Sequence, residues 1–143
     1  MEIRRVAVIG CGQMGTGMAQ VTARAGLDTV LMKMTEGPVE AGKQKIAKAL
    51  QRDVDKQRGT AEEMVATLAR ISCTNTVADL ASCDLIIESV IEDLDEKKHL
   101  FASLEGVVND QAIFATNTST LSVTALAEAT KRPTRVIGLH FFN

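Results

Sequence analysis

Three glycines near the start of the chain, Gly10, Gly12 and Gly15, stand in the run Val8-Ile9-Gly10-Cys11-Gly12-Gln13-Met14-Gly15. Their spacing is that of a strand-to-helix turn that receives the diphosphate of a dinucleotide. Gly10 permits a tight turn, Gly12 lets the backbone approach the diphosphate, and Gly15 lets the helix lie close to the sheet. The free N–H groups at the positive end of that helix would then face the anion. The pattern alone is weak. Here it follows a β-branched apolar run over residues 3–9 and opens an amphipathic segment, which is the context the motif requires. Gly10, Cys11, Gly12, Gln13, Met14 and Gly15 are therefore candidate cofactor-binding residues.

A dinucleotide site of this kind usually has an acidic residue about 20 positions beyond the turn, placed to accept the adenosine ribose hydroxyls. The second apolar run, Thr29-Val30-Leu31-Met32, ends instead on Lys33. The nearest acid, Glu36, lies three residues further on, where it either leaves the strand or bends back towards the ribose. Lys33 inverts the expected charge. It opens NADP alongside NAD, because an ammonium can pair with a 2′-phosphate; the alternative is that Lys33 points into solvent and leaves a weakened NAD site.

The elements that would position these residues follow from the apolar pattern. Short β-branched runs at residues 3–9, 29–32, 71–74, 85–87, 112–116 and 136–139 alternate with stretches of helical spacing. Met14, Met18, Val21 and Ala25 recur at intervals of three or four, and Gly26 supplies a stop. Thr60 with Glu63 forms a capping box, and Ser122 is placed to cap the helix that follows it. Strands alternating with helices imply βαβ units, hence a Rossmann-type, doubly wound, mostly parallel sheet. The polar stretch 37–70 reads as a helical pair projecting after the second strand. Residues 1–143 form one dinucleotide-binding domain. Because the chain stops directly after a strand, it reads as the front part of a longer protein.

Composition excludes several classes. The net charge of −2 gives no reason to expect a nucleic-acid partner. No apolar run approaches the roughly 20 residues of a membrane span. The run after Arg4-Arg5 breaks at Gly10 after four apolar residues, too short for a secretory signal core of about 7–15. Cys11, Cys73 and Cys83 are an odd number without nearby histidines, which points away from a disulfide framework or zinc site and towards a reducing cytoplasm.

The second half of the chain carries three further segments. They are Asp84-Leu85-Ile86-Ile87-Glu88-Ser89-Val90-Ile91-Glu92, Ala115-Thr116-Asn117-Thr118-Ser119-Thr120-Leu121-Ser122 and Gly138-Leu139-His140-Phe141-Phe142-Asn143. In this order and spacing the chain resembles the 3-hydroxyacyl-CoA dehydrogenase family over essentially its whole length. The resemblance implies that His140 takes the proton of a substrate 3-hydroxyl while hydride passes to the nicotinamide, a task suited to an imidazole that titrates near neutral pH. It implies that Ser119 sits near both the substrate hydroxyl and the nicotinamide, with Asn117 as an orienting residue. It places Glu92, Lys97 and Asn143 against the dinucleotide, and Lys56, on the polar helix, against coenzyme A phosphates. It further implies that a glutamate on the next strand past Asn143 hydrogen-bonds to the histidine, and that a helical second domain then completes the cleft and makes most of the contact of a homodimer. The chain alone is then expected to be nearly inactive. Lys33 departs from the family's ribose-binding aspartate.

Without the resemblance, Asn117 and Ser119 would read as caps after a strand, and the basic residues of 43–58 as a solvated helix face. His99 reads as a surface residue, and no metal site is expected. Two other functions stay open at this level: a non-catalytic dinucleotide-binding module, and a dehydrogenase of another substrate class such as sugar acids. The intact His140, Asn117 and Ser119 weigh against the first. The pairing of the Asn-Thr-Ser and His-Phe-Phe-Asn segments weighs against the second.

Overall fold

The computed structural model describes residues 1–141. Six parallel strands form one sheet: β1 (Arg5–Ile9), β2 (Asp28–Met32), β3 (Ile71–Thr74), β4 (Leu85–Glu88), β5 (Ile113–Thr116) and β6 (Val136–Gly138). Their spatial order is β3-β2-β1-β4-β5-β6. The chain thus winds outward from β1 in one direction, then returns and winds in the other. The doubly wound order puts the ligand crevice beyond the carboxyl ends of β1 and β4, where the winding reverses.

The helices are α1 (Gln13–Arg24), α2 (Ala41–Asp55), α3 (Ala61–Ala69), α4 (Leu94–Leu104) and α5 (Val123–Glu128). They cover both faces of the sheet, which is why β1 reads as an unbroken apolar run: Val6, Ala7, Val8 and Ile9 are all fully buried. Alternate residues serve separate cores. Ala7, Ile9, Ile86 and Phe114 pack with Leu100, Phe101, Leu104 and Leu126 from α4 and α5. Val6, Val8, Leu31 and Ile87 pack with Met18, Ala19 and Ala23 of α1.

The helical pair expected after the second strand is α2 and α3. Its inner side is anchored, because Ile46 and Leu50 enter the same core as α1 and Lys43 Nζ donates to the Ile71 carbonyl at 2.7 Å. Only its polar outer face stands clear. Local signals act where the sequence put them. Thr60 accepts from the Glu63 N–H at 3.1 Å, and Ser122 from that of Ala125 at 3.0 Å. Gly26, at φ +97°, ends α1. The first strand starts at Arg5 rather than at residue 3. The fourth helix stops at Leu104, where the N–H groups of Val107 and Val108 both turn back to one carbonyl. Among the described residues, no helix is long and apolar enough to cross a membrane.

Candidate functional site

The glycine turn lies at the carboxyl end of β1 and is built by close backbone approach. Gly10 has φ +114°, a conformation open to glycine, and its N–H donates to the Met32 carbonyl at 2.9 Å. A Cβ on Gly10 would stand 2.3 Å from the Ser89 carbonyl oxygen, and one on Gly15 would stand 1.8 Å from that of Gly10. Gly12 is different: among the described residues, its chain neighbours aside, no atom lies within 4 Å of its Cβ position. The turn is therefore filled from below by protein and left open above Gly12. Among the described residues no side chain caps the start of α1 from the N-cap and no acidic residue sits in its first turn, so this helix end suits an anion. This cradle fits a dinucleotide diphosphate.

Two cavities open along the crevice. The first, about 560 Å³, is lined by Gly10, Cys11 and Gly12 and, at the end of β2, by Lys33, Met34 and Thr35. Ile91 and Leu100 form its opposite wall. The second, about 430 Å³, brings together Met14, Glu92, Asn117, Ser119 and His140. Both share Ser89 and Val90, so they read as one groove across the switch point.

Beneath the second cavity lies a buried ionic network. Lys97, on the first turns of α4, places Nζ 2.7 and 2.8 Å from the two carboxylate oxygens of Glu88 and 3.0 Å from Glu92 Oε1. The side chains of Lys97 and Glu88 have no exposed surface, whereas Glu92 is 43% exposed. Thr116 Oγ1 donates to Glu88, and Glu92 Oε2 accepts from Thr118 at 2.7 Å and Thr120 at 3.1 Å. Two carboxylates thus share one ammonium, and the surplus negative charge sits on Glu92 at the crevice. Burial alone would push the Glu92 carboxyl up. The hydrogen bonds from Thr118 and Lys97, together with the Lys97 charge, outweigh that and hold it below its ordinary value.

Asn117 links two of the flagged segments. Its Oδ1 accepts from the Phe141 N–H at 2.8 Å, its own N–H donates to the Glu88 carbonyl at 3.0 Å, and Nδ2 reaches Ser89 Oγ at 3.4 Å. With Leu139 N–H on the Thr116 carbonyl at 2.9 Å, these bonds seat the His140 segment beside the Asn117–Ser119 turn.

Most residues flagged in the sequence therefore converge. Gln13 faces a separate groove between α1 and α2, and Gly15 is sealed under the turn. Lys97 has no surface with which to touch a ligand, so it meets the crevice through Glu92. Lys56 is exposed at the C-cap of α2 and lines neither cavity. Asn143 lies outside the described residues. Cys11 donates to the Met32 carbonyl at 3.5 Å; burial pushes its thiol up although Lys33 and Lys45 pull it down. Burial also pushes Cys73 up to about 11, so neither thiol is poised as a nucleophile. Sequence reasoning did not single out Glu88, Thr116 or Thr118 as site residues, nor Thr35 and Lys45 of the first cavity. The positions of Glu88 and Thr116 at adjacent strand ends were the available signal.

Residues 5–143 match the family described as 3-hydroxyacyl-CoA dehydrogenase, NAD binding domain. A 3-hydroxybutyryl-CoA dehydrogenase of Mycobacterium tuberculosis is 43% identical over 142 residues, covering 99% of this chain and 50% of the relative. A probable 3-hydroxybutyryl-CoA dehydrogenase of Bacillus subtilis is 38% identical over 143 residues, covering 100% and 50%. The crystal structure of (S)-3-hydroxybutyryl-CoA dehydrogenase PaaH1 from Ralstonia eutropha superposes with a TM-score of 0.94 at 37% identity, covering 99% of this chain and 50% of that one. The chain spans about half the length of these relatives.

Proposed function

Because the chain belongs to the 3-hydroxyacyl-CoA dehydrogenase family, as its NAD-binding domain, we propose that it is the cofactor-binding part of an oxidoreductase acting on 3-hydroxyacyl thioesters of coenzyme A, such as 3-hydroxybutyryl-CoA. The observation that carries this reading is the single groove joining the glycine turn to His140, Ser119 and Asn117. When bound, NAD supplies the hydride acceptor. His140 accepts the proton of the 3-hydroxyl as the C–H hydride leaves, so the alcohol becomes a ketone and charge balances. Ser119 orients the hydroxyl, and Asn117 holds the His140 segment at the correct distance by its bond to the Phe141 N–H. Glu92, fixed by Lys97 and Thr118, lines the same end of the groove. Asn143 is carried along as a further dinucleotide contact.

Coenzyme A phosphates would meet the basic face of α2. Lys48 and Arg52 line a groove of about 450 Å³ towards α1, and Lys56 stands at the C-cap beyond them. A second, helical domain supplies the other wall of the cleft and the dimer contact, and the protein works in the cytoplasm, as the free thiols favour. Fatty-acid or butanoate metabolism is the setting, in keeping with relatives named as fatty acid oxidation complex alpha subunits.

The test is acetoacetyl-CoA reduction, followed by NADH absorbance, in the 143-residue chain and in a version extended to the length of the relatives. Extended protein should turn over, His140→Gln should lose at least a hundredfold in kcat, and the short chain should fall more than tenfold below the extended one. NADH binding without turnover in the extended protein would leave a non-catalytic dinucleotide-binding module.

A further inference from the structure

The adenosine end of the groove carries charge opposite to that of a site built for a free ribose. Met32 ends β2 and Lys33 follows, where this sheet order places the residue that faces the ribose. The backbone at Lys33 is fixed, because its N–H donates to the Thr74 carbonyl at 2.8 Å. Its Nζ donates to Thr35 Oγ1 at 3.1 Å. The turn at Gly37, with φ +114°, folds back along the Lys33 stem, 3.4 Å from Cε at the glycine's Cβ position. Lys45 enters the same cavity from α2. Both ammonium groups are close enough to bear on the Cys11 thiol in the glycine turn. Among the described residues, the only carboxylate lining this cavity is Glu96, which comes from α4 on the β4 side. Glu36 is exposed and lines no part of it.

We propose that Lys33, Thr35 and Lys45 form a recognition site for the 2′-phosphate of an adenine dinucleotide, so that the groove takes NADP at least as well as NAD. The inference rests on the reading that this groove holds a dinucleotide. A carboxylate at position 33 would accept the ribose hydroxyls and repel a phosphate of about −1.5 to −2 charge. Lysine removes the repulsion and supplies N–H donors, and the Thr35 hydroxyl adds another. The Lys33–Thr35 bond holds the two groups side by side before any ligand arrives. Lys45 supplies a second positive charge from an independent element, which offsets the absence of the bidentate fork that an arginine would bring.

Calorimetric titration of NAD, NADP, 5′-AMP and 2′,5′-ADP into the protein tests this directly. NADP should bind at least as tightly as NAD, and 2′,5′-ADP at least tenfold more tightly than 5′-AMP. That gap should narrow as salt rises, because it is an ion-pairing gap. Lys33→Asp should move the NADP-to-NAD affinity ratio at least tenfold towards NAD. Lys45→Ala should weaken NADP alone, and retained NAD binding in each variant shows that the fold is intact. A wild type that clearly prefers NAD overturns the inference, as does an unchanged ratio in Lys33→Asp. Binding of neither dinucleotide defeats the reading of the groove itself, and this inference with it.

Discussion

The two ends of the groove are built from opposite materials. At the glycine turn the protein offers bare backbone over Gly12 and two lysines in an open cavity. Under His140 and Ser119 it offers a sealed ion pair, with an amide and three threonines locking neighbouring loops together. A buried, paired charge loses heavily when either partner goes, whereas an exposed one loses little. The end proposed for chemistry is therefore costly to alter, while the end proposed to read the adenosine can be re-specified by single surface substitutions.

The largest expected effect comes from breaking the sealed end. Lys97→Met leaves Glu88 buried without its counter-charge and should lower stability by about 3–5 kcal/mol in urea unfolding. The double variant Glu88→Leu with Lys97→Met should recover much of that loss yet still bind dinucleotide weakly, because Glu92 loses its anchor. Full recovery of both stability and binding would mean that the network positions nothing.

Within the open end, two glycines should separate fold from binding. Gly15→Ala drives a methyl into the Gly10 carbonyl and should cost about 1–3 kcal/mol. Gly12→Ala meets no atom and keeps an extended backbone at φ −73°, ψ −172°. Its stability should stay within about 0.5 kcal/mol of wild type, while dinucleotide affinity falls at least tenfold in a fluorescence titration. Unchanged affinity would remove Gly12 from the site.

Acid offers a gentler probe. The Glu92 carboxyl is held below its ordinary value of 4.5, so its contribution is full above that pH and drains away as pH falls through the lowered value. Wild type should therefore lose stability more steeply below about pH 4.5 than Glu92→Gln does, and the two curves should run parallel near neutrality. The smallest effect is a gain. Gly17 lies exposed inside α1, and among the described residues nothing outside its own helix backbone would meet a Cβ there within 4 Å, so Gly17→Ala should add about 0.5–1 kcal/mol.

The same contrast explains what the sequence discloses. The glycine turn, the six strands and the caps at Thr60 and Ser122 are local signals, and each can be read within a few residues. The anomaly at Lys33 is legible for the same reason, as it sits at a predictable strand end. Glu88, Thr116 and Lys97 meet only because β4, β5 and α4 pack together. Nothing within the neighbourhood of any one of them says that Lys97 turns inward rather than towards a ligand. Likewise the polar face of α2 conceals that Ile46 and Leu50 reach the core. Lys56 shows the reverse limit: composition placed it on a basic helix, but only the structure shows it at the C-cap, away from the groove.

Gly10 also has a history during folding. Its wall is the Ser89 carbonyl, so the turn is enclosed only when β4 lies beside β1, a pairing between segments such as Arg5 and Asp84 that are 79 residues apart. Closure over such a span must precede the contacts that reward it, and parallel pairing of this kind is slow. Refolding is expected on the millisecond-to-second scale, with β1 waiting for its partner in the meantime. A bound dinucleotide would then report a late event, since the pocket does not exist in a chain that has joined only β1 and β2.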